Sequence, residues 1–257
     1  MKPVPEVQSA GSCDAVTLIP AASARECNTL RKVTSVQHSP LFANVSPADC
    51  REIVSAARES EFPRRDTIFL EGDPIRQVVL LTSGSVKVML LGQKGAEVIL
   101  RLAGPGDVVE ITGLPAQCRH CSTAQALSAS TALIWESSAF HALAERFPAL
   151  QSNIIKVAAQ RLEELEERYR EISTEKVATR LSHQLLRLFN QLGRRVNGSG
   201  TLEINLSREE LAQMTGTTLF TVSRLLSAWK ERGVLTARRE CVYVHNIQAL
   251  REFADNE

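Results

Sequence analysis

The chain is organised around LSREELAQMTGTTLFTVSRLLSAWKER, residues Leu206–Arg232, which reads as two short helices joined by a tight turn. Ser207 is a good N-cap and Glu210 stands three residues on, the spacing at which the two side chains satisfy free backbone N–H groups reciprocally. Leu211, Ala212 and Met214 give the first helix a buried face. Gly216 falls where the chain must turn, and glycine takes positive φ without a steric cost. Thr217 or Thr218 caps a second helix, whose apolar positions Leu219, Val222, Leu225, Leu226 and Trp229 follow a 3.6-residue period. Facing the other way are Thr218, Phe220, Thr221, Ser223 and Arg224. A short helix docked by its apolar side, with small polar residues and one arginine at its outer N-terminal end, suits the major groove of DNA.

A helical pair of this kind also occurs in ordinary cores, so the next segment of the chain decides between the two. Gly233-Val234-Leu235 ends the second helix, and Thr236–Val244 reads as a hairpin with Arg238 and Arg239 at its tip. Helix, turn, helix and basic hairpin make a winged helix-turn-helix, with the tip arginines near phosphates. Leu206–Ala212, Gly216 and Thr221–Leu226, in this order and spacing, resemble the DNA-binding domain of the CRP/FNR superfamily of bacterial transcription regulators. Members of that family usually carry Glu three residues before the Ser or Gly preceding the key arginine; here the position is Phe220.

Working outward, Glu61 to about Glu136 alternates short apolar strands (67–70, 78–81, 86–91, 98–102, 123–127 and 132–135) with glycine turns. That spacing argues for an antiparallel barrel or jelly roll. Glu71-Gly72-Asp73, Gly84-Ser85-Val86 and Gly106-Asp107 resemble the cyclic-nucleotide-binding β-roll of the same superfamily. Residues 138–174 read as helical. Within them Ile155, Ala158, Leu162, Leu165, Tyr169 and Ile172 step by three and four between charged flanks (Glu163, Glu164, Glu166, Glu167, Arg168, Arg170, Glu171), the pattern of a coiled-coil seam. In the resembled family this helix is the dimer axis.

The expected fold is therefore α+β: an N-terminal antiparallel β-roll, a long dimerisation helix and a C-terminal winged helix-turn-helix. Residues 1–34 read as a poorly ordered extension, 35–147 as the effector β-roll, 148–174 as the dimerisation helix, 175–251 as the DNA-binding domain and 252–257 as a tail. A length of 257 residues suffices for two small domains with separate cores. Formal net charge is only +1, and residues 174–257 carry 12 Lys/Arg against 9 Asp/Glu, a net of +3. Local placement of charge, not bulk basicity, must carry DNA affinity. The N-terminus lacks the apolar run of a secretory signal and no segment is long enough to span a membrane, so a cytoplasmic protein with reduced thiols is expected.

The resemblance also frames the effector. In cyclic-AMP-binding members a Gly-Glu pair and an Arg-Ser pair hold ribose and cyclic phosphate. Here Glu110 matches, but Val109 stands at the Gly position, and Cys121 stands at the Arg position before Ser122 and Thr123. Without that cation a cyclic phosphate loses its main partner, so cyclic AMP is not the expected effector. Cys118 and Cys121, in Cys118-Arg119-His120-Cys121, are instead candidates for metal binding, an iron–sulfur cluster or thiol chemistry, with Cys13 and Cys27 as further candidate ligands. The spacing of Cys13 and Cys27 does not match the cluster-binding members of the family. Two reduced thiols in a loop that binds another small molecule is the plainer reading. The expected partners are a palindromic double-stranded operator, a second copy of the chain and RNA polymerase. The other functional reading is a ligand receptor whose helical domain docks a protein. An enzyme is least supported: there is no Ser/His/Asp constellation, no phosphate-binding glycine loop and no metalloprotease spacing among five histidines.

Overall fold

The computed structural model describes residues 21–92, 95–110, 118–195 and 202–255. The chain opens with helix α1 (Ala21–Val36), a 3-10 turn at Pro40–Phe42 and helix α2 (Pro47–Ser55), which is capped by Ser46 with Pro47 in the first turn. Residues 21–34, expected within a poorly ordered extension, lie in α1. Long-range contacts hold this helix: Val36 is fully buried and the Lys32 ammonium, itself buried, donates to the Ala57 carbonyl at 2.5 Å. Residues 1–20, Cys13 among them, lie outside the described residues, and the Cys27 side chain is likewise not described.

Among the described residues seven strands follow: β1 (Arg58–Phe62), β2 (Thr67–Phe69), β3 (Gln77–Ser83), β4 (Val86–Leu91), β5 (Glu97–Ala103), β6 (Thr123–Ala126) and β7 (Ser130–Glu136). They form two antiparallel sheets, ordered β1-β7-β3 and β2-β6-β4-β5. Val79, Leu81, Val86, Val88, Ala124, Ala132 and Ile134 fill the space between them. The tight turn into β4 depends on Gly84: its φ is +81°, and a Cβ there would stand 2.2 Å from Ser130 Oγ. A second core packs Ile53 and Val54 of α2, Leu80, Leu133 and Trp135 against α3 (Ser137–Arg146) and the start of α4 (Pro148–Thr174). The Trp135 indole donates to the Ile53 carbonyl at 2.7 Å, which satisfies its only donor in that core.

Beyond α4 lie α5 (Val177–Leu192), β8 (Arg194–Arg195), β9 (Leu202–Ile204), α6 (Arg208–Thr215), α7 (Leu219–Glu231), β10 (Leu235–Ala237), β11 (Val242–Val244) and α8 (Ile247–Asp255). The small sheet runs β10-β11-β9-β8. Residues 252–255, expected in a tail, belong to α8, where Phe253 stacks on Trp229 with ring centroids 5.2 Å apart. The core of this domain does not stop at its own boundary. Leu181, Leu185, Leu188, Leu211 and Met214 share one apolar cluster with Met89 of β4 and Ile99 and Leu102 of β5. Arg168 of α4 reinforces the junction by donating to the Ile99 carbonyl (3.2 Å) and the Met214 carbonyl (2.7 Å). No helix among the described residues is long and apolar enough to cross a membrane.

Candidate nucleic-acid interface and effector site

The helix-turn-helix is built from its caps upward. The Ser207 side chain accepts from the Glu210 N–H at 3.2 Å, and Glu210 Oε2 accepts from the Ser207 N–H at 2.7 Å, so both halves of the capping box are present. Gly216 ends α6 in the left-handed region, φ 60° and ψ 44°. Thr218 then caps α7, its hydroxyl accepting from the Thr221 N–H at 3.2 Å and pairing with the Thr221 hydroxyl at 3.0 Å. Val222, Leu226 and Trp229 are buried and fix α7 on the domain. Leu219, expected on that buried side, is 47% exposed, because it sits in the first turn beyond the edge of the core.

The outer face is free to meet a duplex. Thr218, Phe220 and Arg224 are exposed, Thr221 and Ser223 half-buried. Phe220 is 75% exposed, which no packing within the chain explains. Arg224 has no ion-pair partner among the described residues. In the wing, Arg238 and Arg239 are both exposed, and the Arg238 guanidinium lies over the Tyr243 ring, 5.3 Å from its centroid. The adjacent Glu240 forms an ion pair with Arg64 of the β-roll at 3.2 Å, a contact more than half exposed and so of little energetic weight.

In the β-roll the segment from Cys118 to Thr123 is zipped onto the turn Gly72–Ile75 by backbone bonds from Gly72 N to His120 O, His120 N to Asp73 O and Ile75 N to Cys118 O. His120 points inward. It is buried, stacked on Phe69 at 3.8 Å between ring centroids, and hydrogen-bonded through Nδ1 to Glu110 at 2.6 Å. Ser122 and Thr123 are buried beside it, and the Thr123 hydroxyl accepts from the Glu71 N–H at 3.1 Å. Cys121 is exposed and Cys118 half-buried, both as free thiols. Arg119 donates to the Gly72 carbonyl at 2.6 Å.

Arg119 and His120, which lie between Cys118 and Cys121 in the chain, are therefore engaged elsewhere. No group of three His, Cys, Asp or Glu that could hold a metal includes either thiol among the described residues. Cys50 and Cys241 lie in separate cores, where burial pushes both thiols up from the ordinary range. A four-thiolate cluster here would depend on Cys13 and Cys27, so the described residues do not complete one.

Two arginines of this region were not singled out from the sequence. Arg101 of β5 donates to the Val108 and Val109 carbonyls, and Arg161 of α4 also donates to Val108. Burial, and next the adjacent Arg101 cation, pulls Arg161 down to about 9, while Asp107, Glu164 and Glu110 act in the opposite sense. An arginine inside the apolar run Val98–Leu102 is the sequence signal that marks the first of the pair.

On α4, Ile155, Leu162, Leu165, Tyr169 and Ile172 are 63%, 57%, 51%, 74% and 50% exposed, and Ala158 is exposed with them. Leu150, Asn153 and Ile154 face inward, where Asn153 Nδ2 donates to the Leu41 (2.9 Å) and Ala43 (2.7 Å) carbonyls. Arg168 and Glu171, read from the sequence as solvent-facing flanks, also turn inward. Glu171 is 3% exposed.

Comparison with known proteins matches this geometry. The model of the cyclic nucleotide-binding domain matches residues 59–147, and that of the Crp-like helix-turn-helix domain matches residues 179–253. A protein of Thermus thermophilus named cyclic AMP receptor protein is 30% identical over 216 residues, covering 84% of this chain and 97% of that protein. Electron transport regulator A of Shewanella oneidensis is 25% identical over 199 residues, 77% of this chain and 79% of that one. The solved structure of FixK2 from Bradyrhizobium japonicum superimposes with a TM-score of 0.68 at 24% identity, covering 78% and 98% of the two chains. A β-roll joined by a long helix to a winged helix-turn-helix defines a DNA-binding transcription regulator rather than an enzyme. The chain belongs to the CRP/FNR family.

Proposed function

We propose that this regulator works as a homodimer that reads a palindromic operator, one α7 in each of two major grooves, under control of a signal received by the β-roll. The observation that carries the reading is the α4 stripe. Ile155, Leu162, Leu165, Tyr169 and Ile172 stand at least half exposed, and with the exposed Ala158 they step by three and four. Contiguous apolar surface of this kind marks an association site, and the spacing suits a second copy of the same helix. In the DNA complex Arg224 pairs with guanine through O6 and N7, Phe220 packs on a thymine methyl where a glutamate would accept from cytosine, and Arg238 and Arg239 hold phosphates. RNA polymerase is the further partner, and the cytoplasm the compartment, of such a regulator.

The signal site in this reading comprises Glu110, His120, Ser122 and Thr123, with Cys118 and Cys121 at its rim. The inward Glu110–His120 pair supports a small-molecule effector that meets both side chains, and with Val109 and Cys121 at the Gly and Arg positions cyclic AMP is not the expected one. The exposed Cys121 thiol, three residues from Cys118 in the chain, supports a second reading, response to redox state, oxygen or nitric oxide through these two cysteines.

Selection from random DNA, followed by anisotropy titration across salt concentration, tests the DNA reading. Two-fold symmetric sites bound by one dimer with a steep salt slope are expected. An asymmetric single site, or no enrichment with retention of a protein partner instead, would overturn it. A Cys118→Ser, Cys121→Ser variant separates the two signals. If oxidant changes operator binding of parent and variant alike, and the parent carries no iron and no more zinc than the variant, the thiol reading fails.

A further inference from the structure

The joint between α4 and α5 carries chemistry that DNA reading does not use. Among the described residues only Glu171, Glu175 and His183 bring three His, Cys, Asp or Glu ligand atoms within 4.8 Å of one another. Glu171 lies in the last turn of α4, Glu175 is the residue that ends it, and His183 comes from α5. His183 Nδ1 stands 3.3 Å from Glu171 Oε1 and 3.4 Å from Glu175 Oε2. Two ligand atoms each about 2.0–2.1 Å from one tetrahedral ion are separated by about 3.3–3.4 Å, so these spacings are those of a tetrahedral edge.

Hydrogen bonding does not account for the arrangement. His183 Nδ1 and Glu175 Oε2 are buried, and among the described residues neither makes a hydrogen bond, although the two atoms lie within ion-pair distance of each other. The side chains of Glu171 and Glu175 are only 4% and 8% exposed. An unpartnered buried carboxylate oxygen costs free energy that a bound cation would recover. Arg187 grips Glu171 through both of its oxygens and Arg170 approaches Glu175 Oε1 at 3.9 Å, while Arg180 donates to the Glu175 carbonyl at 2.8 Å. Of these cations only Arg187 bonds a carboxylate of the trio closely.

We propose that Glu171, Glu175 and His183 form a three-ligand site for a divalent first-row transition-metal ion, of which Zn2+ fits best, that ties α4 to the DNA-binding domain. Imidazole and carboxylate oxygens suit Zn2+ and its neighbours, and three protein ligands leave a fourth position for water. Arg187 keeps Glu171 Oε2 while Oε1 turns to the ion. Because two ligands lie at the end of α4 and the third on α5, occupancy fixes the angle between those helices.

The test is titration of the full-length Cys118→Ser, Cys121→Ser protein with Zn2+ by calorimetry and with Co2+ by visible absorption. One ion per chain is expected, with tetrahedral Co2+ bands and no thiolate charge-transfer band. Glu175→Gln and His183→Gln, each made separately, should weaken binding by about tenfold or more, with circular dichroism unchanged. Unchanged affinity in both variants, a thiolate charge-transfer band, or no saturable binding to the parent would overturn the proposal. The titration needs no DNA and no effector, so its failure leaves the operator reading untouched.

Discussion

Replacing Leu165 with arginine probes the proposed association surface where it is most central. The Leu165 side chain is 51% exposed in the single chain, so about half of its transfer free energy, roughly 1 kcal/mol, remains to be gained on association. A two-fold axis counts that loss twice, about 2 kcal/mol per dimer. The substitution also sets two cations face to face. At about 7 Å and an effective dielectric of about 20 their repulsion is close to 2.4 kcal/mol. The sum is about 4 kcal/mol, on the order of a thousandfold in dimer dissociation constant. Sedimentation velocity or mass photometry over a dilution series measures that constant directly, and Glu163→Arg, a charge change off the seam, is the control. Operator affinity should fall together with dimer affinity, because each protomer alone grips only one half-site. If the dilution curve of Leu165→Arg overlays that of the parent, α4 is not the seam and the exposed stripe has another occupant.

The remaining expectations concern the reading head and its support. Arg224→Ala should relax the preference for one guanine per half-site by about 1–3 kcal/mol, and Phe220→Glu should move the neighbouring preference from thymine toward cytosine, both read by selection from random DNA. Ser207→Ala removes the capping hydroxyl of α6 and should cost about 0.5–2 kcal/mol in denaturant unfolding of the C-terminal domain; a loss well below that range would mean Glu210 alone sustains the cap. Arg168→Met keeps the aliphatic stem but leaves the Ile99 and Met214 carbonyls without their donor. Amide exchange should then quicken in α6 and β5 while α2 and α3 stay as they were, and equal protection throughout would show that the shared apolar cluster holds the junction unaided.

Local patterns made much of this molecule legible. The capping box of Ser207 and Glu210, the left-handed Gly216 and the period of Val222, Leu226 and Trp229 are each written within a few residues, and each is observed. The strands from β2 to β7 are legible for the same reason: apolar runs bounded by glycine turns. Strand β1 is not, because Arg58-Glu59-Ser60-Glu61-Phe62 carries almost no apolar face, and it exists by pairing with β7 at the edge of a sheet. Helix α1 is hidden too, since its anchors are a lysine reaching a carbonyl 25 residues away and a single buried valine. What sequence periodicity cannot supply is which surfaces meet. Met89, Ile99 and Leu102 look like any strand residues until the C-terminal domain is seen packed on them. Arg101, Arg161, Arg168 and Glu171 look like solvent-facing charges until their carbonyl and arginine partners appear.

That last group bears on how α4 can serve two surfaces at once. At 100° per residue, Arg161, Arg168 and Glu171 lie on a face roughly a quarter-turn from the stripe of Leu162, Leu165, Tyr169 and Ile172. The first face holds the β-roll through the Val108 carbonyl and the C-terminal domain through the Met214 carbonyl. The second face is the one offered to a partner copy in the proposed dimer. The faces adjoin on one rigid helix, so repacking at the seam cannot rotate α4 without shifting Arg161 and Arg168 together. Both of those arginines are half-buried against their acceptors, and a cation pulled from its carbonyl there leaves that acceptor without a partner. A rotation must therefore either carry the β-roll and the reading head along or exchange one set of acceptors for another. Packed interfaces of this kind favour discrete alternatives over gradual drift. In the proposed dimer, a signal at Glu110 and His120 needs only to bias which set Arg161 holds for the change to reach α6 and α7.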